Sequence, residues 1–160
     1  MTPEQRLSEH LAQLGHEMPA AAAPKGVYRP AIRVGDMIYT AGHLPVRADG
    51  SLVTGRLGAG MEVADGYAAA QLVGLGLLAT VRHELGTLDR VKQVVKVFGA
   101  VSCSPEFDQQ PAVINGCSEL LVAVFGPEAG RGARSAMGVA ALPLGVPVEI
   151  EAIFQIAGDL

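Results

Sequence analysis

Gly132-Ala133-Arg134-Ser135-Ala136-Met137-Gly138-Val139-Ala140-Ala141-Leu142-Pro143, followed by Val146-Pro147-Val148-Glu149-Ile150-Glu151-Ala152-Ile153-Phe154, is the stretch that decides the fold. Two short apolar runs flank a Pro/Gly turn, a pattern that reads as an antiparallel pair of strands. Residues two apart on a strand share a face. Glu149 and Glu151 therefore point one way, and Val148, Ile150 and Ala152 the other. An arginine and a carboxylate set into apolar strands need a reason, because a buried charge is costly unless it is paired or binds something.

Upstream, Met61–Leu85 and Val113–Phe125 read as helices, stopped by Gly86 and by Gly126-Pro127. Between them Asp89–Ala100 reads as a strand through Val94, Val95, Val97 and Phe98. Gly26–Pro45 reads as a strand, a turn at Val34-Gly35-Asp36, and a second strand at Met37–Ala41. Leu52-Val53 is expected to add a short third strand, followed by a glycine-rich loop at Gly55–Gly60. At the N-terminus Thr2-Pro3-Glu4 carries the signals of a helix start: a hydroxyl cap, a proline in the first turn, and an acid at the positive end. Leu7, Leu11 and Leu14 give this helix one apolar stripe, and Pro19–Pro24 forms a linker after it. The expected order is an accessory helix, then β-β-β-α-β-α-β-β, an α+β sandwich with helices gathered on one face of the sheet. Residues 1–24 form the helix and linker, and residues 25–160 a single domain.

Composition narrows the function. The chain has 12 Lys and Arg against 16 Asp and Glu, a formal charge of −4, which argues against a nucleic-acid partner. Charged residues are only 18% of the chain and mean hydropathy is +0.32, so apolar surface is expected to be hidden in an oligomer. Cys103 and Cys117 read as two reduced thiols of a cytoplasmic protein rather than a ligand cluster. The N-terminus lacks an export signal, and the uncharged stretch Gly66–Val81 is short for a membrane span and reads as a core helix.

Several motifs carry less than they suggest. Gly74-Leu75-Gly76-Leu77-Leu78-Ala79 fits a dinucleotide pattern but falls inside a helix, where no amides are free for a pyrophosphate; its glycines fit close helix-to-sheet packing. Gly55–Gly60 lacks the Lys-Ser/Thr of a phosphate loop. His10, His16, His43 and His83 have no metal-ligand spacing, and no metal or organic cofactor is expected. Ser135 has no base or elbow motif around it. Arg134 suits two-pronged binding of a small carboxylate, and on spacing alone an internal salt bridge to Glu149 or Glu151 is equally open. Glu149 could hold a water or move a proton, or could be an exposed strand carboxylate.

The closing segment resembles that of the Rid family (reactive intermediate deaminase, also called RidA/YjgF), whose members end in a similar Ala-Arg-Ser, Leu-Pro and Glu-Ile-Glu-Ala-Ile. Gly26-Val27-Tyr28 and Gly35-Asp36 through Ala41-Gly42-His43-Leu44-Pro45 resemble a second family block. The resemblance implies a chorismate-mutase-like fold, a homotrimer with clefts between subunits, and cofactor-free hydrolysis of enamines and imines to 2-keto acids and ammonium. It implies that Arg134 binds the substrate carboxylate and that Glu149 activates water or protonates the enamine carbon. Tyr28 would wall the pocket, Gly42 would let the backbone approach, Asn115 would hydrogen-bond near the cleft, and His43 lies at the pocket-lining turn, in a structural or a chemical role. Ala136 and Ala41 stand where members often carry cysteine and serine. The alternative is a non-catalytic trimeric module that binds a small carboxylate metabolite, with no nucleic acid and no membrane as partner.

Overall fold

The computed structural model describes residues 1–158. Its elements are α1 (Pro3–Leu14), β1 (Ala31–Val34), β2 (Met37–Thr40), α2 (Val63–Leu85), β3 (Val91–Ser102), α3 (Gln110–Phe125), β4 (Ala133–Val139) and β5 (Val148–Ile156). One five-stranded sheet has the order β1-β2-β5-β3-β4. The β3–β4 pair is parallel and the other pairs are antiparallel.

This order corrects one expectation. β4 and β5 do not pair; β3 lies between them, with Val97 opposite both Arg134 and Ala152. The cause is the β3–α3–β4 unit, because a strand–helix–strand crossover returns the second strand parallel beside the first. The connection after β4 then carries the chain across the end of β3, through a turn at Pro143–Gly145. The end of β3 is bonded on both sides, by Ser102 N–H to the Pro147 carbonyl (2.9 Å) and Cys103 N–H to that of Val139 (3.4 Å). A second correction is smaller: Leu52 makes a single bridge with Val46 and adds no strand to the sheet. The turn there is closed locally, with Asp49 accepting from the Ser51 amide and hydroxyl.

The β1–β2 hairpin turns at Gly35, whose φ of 60° is the left-handed region. α2 ends as expected at a left-handed Gly86. α3 starts at Gln110, earlier than expected, because Pro111 fits the first helical turn, where its missing N–H costs nothing.

α2 and α3 cover one face of the sheet, where Ile38, Val94, Val97, Val101, Ile150, Ala152 and Phe154 are buried. The two helices meet tightly at Gly116, where a Cβ would overlap the Tyr67 carbonyl oxygen. Gly74 likewise faces Leu120 and Cys117 of α3, and Gly76 faces the His43 ring. At Gly74, then, small size serves helix–helix contact rather than the helix-to-sheet packing expected. By length and composition α2 could cross a membrane, but 56% of its apolar stretch is buried inside the fold, as befits a core helix.

α1 docks through Leu7, which is 2% exposed, with Leu11 packed against the core; Leu14, at the helix end before the left-handed Gly15, is 37% exposed and falls outside the stripe. Glu4 fixes its position, accepting from the Leu88 amide (2.9 Å) and pairing with Arg82 (3.1 Å).

Among the described residues, the other face of the sheet carries no helix. It presents Glu149 and Glu151 of β5 as the alternation predicts, together with the exposed side chains of Ile32, Val34, Tyr39 and Met137.

Candidate functional site

The candidate residues fall into two groups. Arg134 sits on β4, opposite Val97 and on the helix-covered side of the sheet. Its Nη1 donates to Asn115 Oδ1 (2.7 Å) and Ser118 Oγ (3.2 Å), both on α3. Residues 115 and 118 share a helix face by their spacing, so α3 orients the guanidinium from one side. Neither Glu149 nor Glu151 pairs with Arg134, so of the two readings of this arginine the internal salt bridge is not realised. Arg134, Asn115, Ser118 and Glu119 line a cleft of about 340 Å³ together with Arg131.

Glu149 stands on the helix-free face, in register with Ala100 of β3. It is part-buried, and its carboxyl pKa is raised, first by burial and then by the neighbouring charge of Glu151. Gly42 lies against it so closely that any side chain there would collide with the carboxylate. The chain at Gly42 is held beside β5 by a reciprocal pair of bonds between His43 and Ile150, at 2.9 and 3.2 Å.

His43 is 5% exposed and both ring nitrogens are engaged, Nδ1 with the Ala41 carbonyl and Nε2 with the Thr80 hydroxyl, each at 2.8 Å. A carbonyl can only accept, so Nδ1 carries the proton and Nε2 accepts from Thr80. Burial lowers the pKa of the ring, partly offset by the Ala41 bond, and so favours the neutral form. This geometry supports the structural role of the two weighed for His43. Tyr28, half-exposed, receives the Lys25 amide on its hydroxyl at 3.4 Å. Tyr28, Gly42 and His43 line a second cavity, of about 770 Å³, walled by the Pro19–Ala23 linker and by Leu72 and Leu75 of α2.

Within one chain, then, Asn115 joins Arg134 on the helix-covered side of the sheet, and Glu149, with Gly42 against it, stands on the opposite side. His43 turns toward Thr80 and Gly76 of α2, and Tyr28 lines the second cavity with it rather than the surroundings of Glu149. Sequence reading missed Ser118, Arg131, Glu119 and Tyr67. A signal existed for the first and third: Asn115, Ser118 and Glu119 form a polar stripe on a helix otherwise made of Val113, Ile114, Cys117, Leu120 and Leu121. Cys103 and Cys117 are both buried and free, and burial pushes the Cys117 thiol up to about 12, which removes it from chemistry. Among the described residues no cluster of His, Cys, Asp or Glu could hold a metal ion.

A mixed five-stranded sheet with two main helices on one face and an added N-terminal helix is a chorismate-mutase-like α+β sandwich. The family described as "YjgF/chorismate_mutase-like, putative endoribonuclease" matches residues 8–153, and the chain belongs to this YjgF/Rid family. Protein TCP17 of Trypanosoma cruzi is 43% identical over 151 residues, covering 94% of each chain. The crystal structure of Atu1372 from Agrobacterium tumefaciens, a protein of unknown function, superposes with a TM-score of 0.89 at 39% identity, covering 97% of this chain and 95% of that one. RidA from the Antarctic bacterium Psychrobacter sp. PAMC 21119 superposes with a TM-score of 0.60 at 30% identity, covering 88% of this chain and 97% of its own.

Proposed function

We propose that the protein hydrolyses reactive enamine and imine metabolites to 2-keto acids and ammonium, at clefts between the subunits of a homotrimer. The observation that carries this reading is the division of the site. Arg134 and Glu149 lie on opposite sides of one sheet, so a reaction that uses both draws them from two copies of the chain. The apolar side chains of Ile32, Val34, Tyr39 and Met137 on the helix-free face supply surface for that contact.

In the proposed reaction Arg134 of one subunit binds the substrate carboxylate through the donors that Asn115 and Ser118 leave free. Glu149 of the next subunit delivers a proton to the enamine carbon, giving the iminium ion and leaving Glu149 as the carboxylate. It then takes a proton from water as the oxygen adds to the C=N carbon. The resulting carbinolamine expels ammonia as its C–N bond breaks and the C=O bond forms; ammonia leaves as ammonium after protonation. The raised pKa of Glu149, from burial and the neighbouring Glu151, favours the protonated form that a proton donor needs. Resemblance to a protein named RidA supports the same reading.

Mixing chains tests the division directly. Arg134→Ala and Glu149→Gln variants are each inactive alone. Unfolded together in equal amounts and reassembled, they regain about a quarter of wild-type imine hydrolysis if each cleft takes its arginine and its glutamate from different subunits. Recovery of nothing, with trimers formed and wild type active, places both groups in one subunit's site and overturns the arrangement.

Ala136 beside Arg134 favours a second reading, a trimeric module that binds a small carboxylate metabolite without turning it over. Ligand-dependent thermal stabilisation with no acceleration of imine hydrolysis by the wild-type protein would select it.

A further inference from the structure

Arg131 lies in the same cleft as Arg134 and has no role in the reaction proposed above. It is exposed, and among the described residues its guanidinium has no hydrogen-bond or ion-pair partner. Its backbone, by contrast, is locked. A Cβ on Gly130 would come within 2.5 Å of the Leu121 carbonyl oxygen and 2.6 Å of Val122 Cα, both on α3. A Cβ on Gly132 would come within 2.9 Å of the Val94 carbonyl oxygen and side chain. Gly130 N–H is also tied to the Gly126 carbonyl at 2.8 Å. The two glycines thus press the loop onto α3 and β3 and present Arg131 from a fixed position at the cleft.

The cleft that holds both arginines is also lined by the apolar side chains of Val97, Leu121 and Val122. The one acid lining the cleft is Glu119, which is engaged elsewhere: Tyr67 donates its hydroxyl to the carboxylate at 2.5 Å. That bond holds Tyr67 protonated, with its pKa pushed up to about 12. The lining of the cleft therefore carries two positive charges against one negative, in a chain whose formal charge is −4. Opposite charge concentrated in a cleft selects ligands by sign.

We infer that the cleft takes dicarboxylates: Arg134 receives the carboxylate next to the reacting carbon, and Arg131 receives a second, distal carboxylate. Resting on the proposed reaction, this names its substrate class as imines and enamines of acidic amino acids, with 2-keto diacids as products. Arg131 acts as a specificity residue and takes no part in proton transfer.

Calorimetry with 2-oxoglutarate and 2-oxobutyrate, stable mimics of the two product classes, tests the inference without requiring turnover. Wild type is expected to prefer the diacid. Arg131→Ala lowers the diacid-to-monoacid affinity ratio about fivefold, the worth of a partly exposed ion pair. Arg131→Lys keeps most of the preference, and Arg131→Glu inverts it. The preference fades as salt rises, because an exposed charge is screened. A wild-type ratio near one, or a ratio unchanged in both Arg131→Ala and Arg131→Glu, overturns the inference. Rates on imines generated from glutamate and from alanine separate this from the proposed reaction. Hydrolysis of both without preference, together with equal diacid and monoacid affinities, leaves the reaction standing and removes the specificity. Arg131-dependent diacid binding without any hydrolysis does the reverse.

Discussion

The two halves of the candidate site are built by different physics. The Arg134 half is made by hydrogen bonds: a long side chain on β4 is oriented by two short polar ones on α3. The Glu149 half is made by crowding, with a carboxylate on the interior strand β5 pressed against the backbone of Gly42 and beside the charge of Glu151. The first arrangement positions a permanent charge, because arginine does not titrate in the working range. The second tunes a charge that does. The proposed reaction gives binding to one half and proton transfer to the other, and five substitutions can break or sharpen that division.

The largest effect is expected at Glu149. Glu149→Gln keeps the size and one acceptor but removes proton transfer, which lowers kcat for imine hydrolysis by about 10²–10⁴-fold. Affinity for 2-keto acids should change little, since Arg134 holds them. Loss of fold is not the expected cause. The folded-state pKa of Glu149 is raised, so its contribution favours the fold below the ordinary carboxylate range and is lost as pH rises through the raised value. Glutamine removes the cost of the buried negative charge, so the variant should unfold at or above the wild-type temperature at neutral pH, and the two should converge in acid. A variant that matches wild type in rate would move the proton-transfer role to backbone-held water.

Arg134→Lys is the complementary test. An ammonium cannot reproduce a two-pronged contact or bond in one plane to Asn115, so carboxylate binding weakens by roughly 2–5 kcal/mol if the pair is desolvated. Calorimetry with 2-oxobutyrate that gives unchanged affinity would remove Arg134 as the anchor.

Two glycines separate crowding that serves chemistry from crowding that serves stability. Gly42→Ala puts a methyl group where the end of the Glu149 side chain lies, and a flexible end can swing away. The fold should survive while the hydrolysis rate falls. Gly116→Ala meets the Tyr67 carbonyl, where only a shift of α2 against α3 gives relief. Overpacking of that kind costs about 1–3 kcal/mol, readable as a lower denaturation midpoint. Similar loss of stability in both variants would mean that the Gly42 contact is structural too.

These contrasts mark what the chain discloses before folding. Alternation in Val148–Ile156 assigns Glu149 and Glu151 to the helix-free face, and Gly86 and Gly126 end their helices as expected. These are local matters, decided by a few neighbouring residues. The pairing of β4 with β3 is not local: a turn between two apolar runs looks like a hairpin whether or not a third strand enters between them. The site divides the same way. Arg134 and Glu149 stand out as charges in apolar strands, but no spacing in one dimension shows that they face opposite sides of the sheet. That follows from the parallel pairing, which puts Arg134 level with Val97 and on its side. The fixed presentation of Arg131 is hidden for a similar reason, since it depends on what Gly130 and Gly132 touch.

The smallest effect is expected at Glu151, and it bears on how the proton-handling half is tuned. Glu151 is exposed on the same face as Glu149 and is one of two causes of its raised pKa, the lesser after burial. Glu151→Gln removes a negative neighbour and leaves the burial in place, so Glu149 ionises more readily and its pKa falls part of the way back. The direction of the kinetic effect does not depend on which form of Glu149 limits the rate. If the ionised form activates water, the rising acid limb of the pH–rate profile moves to lower pH. If the protonated form limits, the falling limb moves the same way. The rate at the optimum should stay near that of wild type, because Glu151 touches neither the substrate carboxylate nor the reacting carbon in the proposed site. A limb that does not move would show that Glu149 does not govern it. A large loss of rate at every pH would give Glu151 a share in the chemistry and end the assignment of proton transfer to Glu149 alone.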